Sequence, residues 1–119
     1  MKIFKNLGRA LLLLLLLFLA SPLSADSNGP TTLQNAATTT GVGVLLPVDS
    51  WTWKTVNIVL SAGTATILVQ GTIDNSTWET IASLSASGTV SNNDAWLRMR
   101  ANISACTGCT VTAKAFLAK

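Results

Sequence analysis

The residues best equipped for chemistry are few: two cysteines, four tryptophans and one Arg-x-Arg pair. Cys106-Thr107-Gly108-Cys109 is a C-x-x-C motif, which three chemistries can use. Haem attachment needs a His directly after the second Cys, and Thr110 stands there. A redox dithiol needs a helix N-terminus or similar device to lower a thiol pKa, whereas the flanking segments read as strands. A disulfide formed after export fits that setting. A two-residue Thr-Gly hairpin would set inward-facing Ile103 opposite outward-facing Thr112, so the register asks for a bulge or longer loop with Gly108 at positive φ. Cys106 and Cys109 are therefore read as a short-ring disulfide whose main work is to fix local shape.

Trp51 and Trp53 are two apart and share a face if one strand carries both. With Val56, Ile58 and Leu60 turned into a core, the two indoles stand outside, about 7 Å apart. They would then form a stacking platform for a sugar chain or another aromatic surface. A bulge near Lys54-Thr55 would instead return them to the core. Trp96, Arg98, Arg100 and Asn102 alternate with apolar residues and read as the wet face of a second strand. A guanidinium beside an aromatic ring there can hold a carboxylate, a phosphate or an acidic glycan. Packing of long side chains over a sheet face explains the same residues without any ligand. Trp78 reads as a core residue below a turn.

Composition limits the rest. The chain has no His and no Tyr, one Glu and four Asp, so the usual general bases, metal ligands and triads cannot be assembled. No catalytic residue, metal site or cofactor is expected, and the protein is read as a non-enzyme. The whole sequence of 119 residues carries +3, with eight Lys+Arg against five Asp+Glu. Lys2, Lys5 and Arg9 account for that excess and precede an apolar run, Ala10 to Ala20. The run is too short for a helix that needs roughly 20 residues to cross a bilayer. A basic start, a short apolar stretch and the small residues Ser24-Ala25 make residues 1–25 a cleavable signal peptide. The mature chain after Ala25 is neutral: Lys54, Arg98, Arg100, Lys114 and Lys119 against Asp26, Asp49, Asp74, Glu79 and Asp94. The case for a nucleic-acid partner lapses with the charge, and no membrane anchor is expected after cleavage. The expected location is secreted, extracellular or periplasmic.

The elements that must position these residues are strands. Residues 26–40, with Asn-Gly-Pro and a Thr run, read as a polar, flexible leader that could add to a neighbour's sheet edge, although Thr31–Ala37 could also make a strand. Residues 41–119 read as one domain. Strands are expected at Val42–Pro47, Trp51–Leu60, Thr64–Ile73, Thr77–Leu84, Ala95–Ile103 and Thr110–Leu117, separated by turn signals and without a helical period. Alternation gives inward faces Ala65, Ile67, Val69, Gly71 and Ile73; Leu97, Met99, Ala101 and Ile103; and Val111, Ala113, Ala115 and Leu117. Such a chain is all-β, a single antiparallel β-sandwich or jelly-roll-like domain of about six to eight strands. Thr72 to Trp78 reads as an Asp-anchored turn feeding a strand that bears Trp78.

The stretch TATILVQGTIDNSTWETI, a Gly/Ser turn, AWLRMRANIS and TVTAKAFLA, within residues 63–118, resembles small β-sandwich modules of tailed-phage virion proteins. Gly71, Asp74, Trp78, Arg98 and Arg100 occupy the places of that family's G-S-x-D-G-x-x-W turn and final R-x-R hairpin. The resemblance implies a module for decoration, assembly or host-surface attachment, with no catalytic residues to carry over. The signal peptide departs from it, since virion proteins assemble in the cytoplasm, and favours an exported relative. The first expectation is thus a structural or assembly module with protein partners or self-assembly. Its alternatives are a carbohydrate-binding module using Trp51 and Trp53, with a glycan partner, and a small thiol-redox protein using the C-x-x-C.

Overall fold

The structure, a computed structural model, describes residues 27–119. The expected signal peptide lies outside the described residues. Six strands occur in chain order: β1 (Ser27–Ala37), β2 (Leu46–Pro47), β3 (Trp53–Thr72), β4 (Glu79–Leu84), β5 (Gly88–Asn92) and β6 (Arg98–Ala118). All their pairings are antiparallel and belong to one sheet, with central order β1-β6-β3-β4, β2 on β6 and β5 on β3.

Two long strands organise the molecule. β3 and β6 pair from Trp53 opposite Ala118 to Thr72 opposite Arg98. Beside the first half of β3 lies β5, from Lys54 opposite Asn92 to Ile58 opposite Gly88. Beside the second half lies β4, from Ile67 opposite Leu84 to Gly71 opposite Glu79. β6 carries β1 along its C-terminal half and β2 at Met99 and Arg98.

β3 cannot be straight. Lys54 and Thr72 would lie about 60 Å apart on an extended strand at roughly 3.3 Å per residue. Yet Lys54 pairs with Asn92, and Leu97 N–H donates to Thr72 C=O at 2.8 Å. The five steps from Asn92 to Leu97 reach at most about 18 Å. β6 doubles back as well: Gln34 pairs with Ala113 while its Nε2 donates to Ala101 C=O at 2.8 Å. The corner falls where the β3–β6 register shifts, between Leu60 and Ile67. Gly63 and Gly108 both have positive φ there, +68° and +57°. Residues Gly108 and Cys109 bulge between the pairs Thr64–Thr107 and Ala62–Thr110, as expected of a bulge.

Several expected turns are therefore bends within strands. Trp51–Leu60 and Thr64–Ile73 merge into β3, and Ala95–Ile103 and Thr110–Leu117 merge into β6. The Gly-bearing sequences that signal a turn relieve strain at a corner where both strands continue. Val42–Pro47 shrinks to Leu46–Pro47 plus a single bridge from Gly41 to Ile103. Ser27–Ala37 is strand β1, with Leu33 buried; it includes the possible strand Thr31–Ala37 and replaces most of the expected flexible leader. Its ladder slips three times, and Ala36 takes φ +47°.

The inward face obeys the alternation. Val56, Ile58, Ala65, Ile67, Val69, Met99, Ala101, Ile103 and the row Val111, Ala113, Ala115 and Leu117 are buried in one core cluster with Leu33, Leu46, Val48 and Cys109. Ile73 and Leu97, expected to face in, are exposed, because each lies just beyond a strand end. Each fully buried Val, Leu or Ile contributes roughly 1.5–3 kcal/mol, so this cluster is the main source of stability.

Candidate functional site

The Asp-anchored turn forms. Asp74 Oδ1 accepts the Ser76 N–H at 2.9 Å, the Thr77 N–H at 2.7 Å and the Thr72 hydroxyl at 3.1 Å. Thr72 Oγ1 in turn accepts the Asn75 N–H at 3.0 Å, and Asn75 takes φ +64°. The backbone N–H groups of Thr77 and Ser76, in that order of effect, hold the exposed Asp74 carboxyl far below the usual carboxylate range, since bonds to the charged form favour it. This turn delivers Trp78 to the outer face of the sheet, where the Arg100 guanidinium lies over its ring, 4.0 Å from the centroid.

Arg100 is held from a second side. Gln70, 7% exposed, accepts the Arg100 Nε–H at 2.8 Å and the Asn102 amide at 3.5 Å through Oε1, and donates to Thr80 Oγ1 at 3.2 Å. Register explains the cluster: Gln70 faces Arg100 on β6 and Thr80 on β4. Burial lowers the Arg100 pKa from its ordinary value, but a guanidinium stays charged. Arg98, two residues earlier on the same face, is exposed and opposes Thr72 and Pro47. Trp78 is thus half-buried under an arginine on the outer face, where sequence reasoning put it in the core. Gln70 and its tie to Arg100 were missed, because a cross-strand contact depends on a register that single-strand alternation does not supply.

Trp96 does not join Arg98 and Arg100. It precedes β6, packs against the core, and its ring lies on Gly71, where a Cβ would overlap the indole. Its Nε1–H donates to Asn92 Oδ1 at 3.0 Å. Trp51 and Trp53 are separated too. Trp53 opens β3 and is 55% exposed. Trp51 lies before the strand, packs against the core and has the Lys119 ammonium 5.5 Å from its ring centroid. Strict alternation holds from Trp53 onward, but it does not extend to a residue outside the strand. The same alternation puts Lys54 on the inward face with Val56 and Ile58, a signal that went unread, and Lys54 is 2% exposed. Its Nζ donates to the carbonyls of Asp94 and Thr52. Burial lowers the Lys54 pKa and the nearby Asp94 charge partly restores it.

Cys106 and Cys109 are disulfide-bonded, with Cα atoms 5.4 Å apart. The bridge sits in the corner bulge against the exit of β1: Cys106 Sγ lies 3.2 Å from Thr38 O, and Cys109, 1% exposed, packs near Ala37 O. A cleft of about 280 Å³ beside it is lined by Thr64, Thr66, Ser85, Thr107 and Cys106, which offer hydroxyls and no titratable carboxylate or amine. Among the described residues no cluster of His, Cys, Asp and Glu could hold a metal ion.

No family model matches the chain, and no curated relative does. Solved structures do. The SPBc2 prophage-derived protein YomS is similar with a TM-score of 0.69 at 19% identity, over 79% of this chain and 94% of that one. The PBSX exported protein XepA is similar with a TM-score of 0.65 at 16% identity, over 79% of this chain and 38% of that one. This chain thus spans little more than a third of XepA. At these identities the likeness is one of fold. It bears out the resemblance to small phage-derived domains that Gly71, Asp74, Trp78, Arg98 and Arg100 suggested.

Proposed function

We propose that the chain is an exported, non-enzymatic structural or assembly module, a β-sandwich that works by surface contact outside the cytoplasm or on a virion-like particle. The doubling back of β3 and β6 supports the sandwich reading, because a sheet folded at that corner can set two layers about the one core cluster. The basic start and leucine run of residues 1–25 support export, and the similarity to YomS and to the exported protein XepA supports a phage-related setting.

The observation that carries the contact reading is an aromatic pair on an outer sheet face. Trp53 is 55% exposed and Phe116 45%. Trp53 opposes Ala118 and Thr55 opposes Phe116, so the two aromatic residues hold diagonal positions, roughly 7–8 Å apart along the backbone. Around them stand Thr55, Asn57, Thr89 and Ser91, joined in pairs across β3 and β5. Clustered exposed apolar side chains rimmed by polar ones mark interaction surfaces. The redox alternative loses ground, because the bonded Cys109 is buried in a strand bulge.

Size-exclusion chromatography with light scattering tests the reading. The protein should self-associate as its concentration rises, and Phe116→Ser should shift it toward monomer without loss of fold. A chain that stays monomeric throughout removes self-assembly.

A further inference from the structure

Arg100 is fixed before any ligand arrives. Gln70 holds Nε–H at 2.8 Å and Trp78 covers one face of the guanidinium at 4.0 Å. These two contacts come from β3 and from the flank of β4, so the fork has a set plane and direction. Its terminal N–H groups take no partner among the described side chains, and every buried side-chain nitrogen and oxygen described has one, so these N–H groups face water. Asp74 turns Oδ1 into its own loop, where it accepts from Ser76, Thr77 and Thr72, and Glu79 is opposite Gly71 at the strand end. No carboxylate charge contributes to the shift at Arg100, which burial alone causes.

Arg98 adds a second cation on the same face, about 7 Å along the strand, and it is exposed where Arg100 is half-buried. From this pair a polar row continues along the sheet through Asn102 and Ser104 on β6, with Ser83 on β4 across the Leu68 position. A rigid fork matches a planar carboxylate in two parallel bonds, and the ordering cost is already met. Hydroxyl and amide groups beside it suit the hydroxyls of a sugar.

We propose that the outer face formed by Arg98, Arg100 and Asn102, braced by Gln70 and Trp78, binds the carboxylates of an acidic polysaccharide. The site lies apart from Trp53 and Phe116 on the other half of β3 and β6, so it stands or falls independently of the assembly reading. Trp96, which packs on the core side of Gly71, takes no part in it.

The test uses polygalacturonate as probe, with the fully methyl-esterified polymer and polyphosphate as comparison arms, in titrations at low and high salt. The protein should bind polygalacturonate, more weakly as salt rises, and should not bind the ester. Arg98→Glu should abolish binding, and Arg100→Lys, which keeps the charge but loses the fork, should weaken it roughly tenfold or more. Trp53→Ala should bind as the parent does, and unchanged melting temperatures establish that the variants fold. Absence of binding by the parent overturns the proposal, as does binding unaffected by Arg98→Glu. Equal binding of polyphosphate would overturn the glycan assignment and leave a general anion patch.

Discussion

Gly63 and Gly108 face each other across the sheet corner with nearly the same backbone, φ +68° and +57°, yet replacing each by alanine should have very different effects. A Cβ on Gly108 meets nothing within 4 Å. Its cost is the left-handed backbone, about 1–2 kcal/mol for a residue with a Cβ, offset by about 0.4–1 kcal/mol from a stiffer unfolded chain. The net is about 0.5–1 kcal/mol. A Cβ on Gly63 carries the same backbone term and also overlaps the carbonyl groups of Gly108 and Thr107. Those atoms are main chain and cannot swing away, so the two strands must part at the bulge. Overpacking of this kind adds about 1–3 kcal/mol, which puts Gly63→Ala at about 1.5–4 kcal/mol in total. Urea unfolding of both variants with the disulfide intact, monitored by tryptophan fluorescence, measures the difference. Two variants that agree within about 0.5 kcal/mol would refute the close approach of Gly63 and Gly108, since backbone conformation alone would then account for both.

Reducing the Cys106–Cys109 bridge opens no long loop, since only three residue steps separate the two cysteines. The chain-entropy relation gives about 2 kcal/mol for a four-residue ring; unfolding with and without a phosphine reductant should show a loss of that size, and loss of all structure would contradict it. Lys54 should give stability a rise with pH. Its folded pKa lies below 10.5, so between the folded value and 10.5 the unfolded chain binds more protons. Stability therefore increases across that window. Lys54→Met should remove the rise in urea unfolding measured from neutral pH toward 10.5, and a rise that persists in the variant would place its origin elsewhere.

How far the sequence disclosed the fold can be traced residue by residue. Alternation along Val111 to Leu117 and Ala65 to Val69 identified the inward face, because period-two patterning is a local property that packing must respect. Gly108 was legible as a place of positive φ, and Gly63 only as part of a turn. Their consequence was not, since a turn and a folded-over strand use the same local conformations and differ only in what pairs on either side. The same limit applied to the site. Asp74, Trp78 and Arg100 each stood out by type, but their assembly through Gln70 depends on which strands adjoin, and long-range register is absent from any single window. β1 shows the converse. Its polar, Thr-rich sequence read as a leader with a strand only possible at Thr31–Ala37, yet its ladder to β6, Leu33 in the core and Gln34 reaching Ala101 seat it.

The sharing of β3 and β6 between both halves of the molecule has a kinetic corollary. Neither half can be completed before the corner forms, and its closing contacts join residues far apart in sequence, such as Gln34 with Ala101 and Lys54 with Asp94. Folding of such high-contact-order topologies is slow, in the range of milliseconds to seconds for two-state domains. Because the same two strands run through both halves of the sheet, opening one strips the other of its neighbours, and the amides of β3 and β6 should exchange with solvent only when the entire domain opens. Short peripheral strands such as β5 have no such protection and can fray alone.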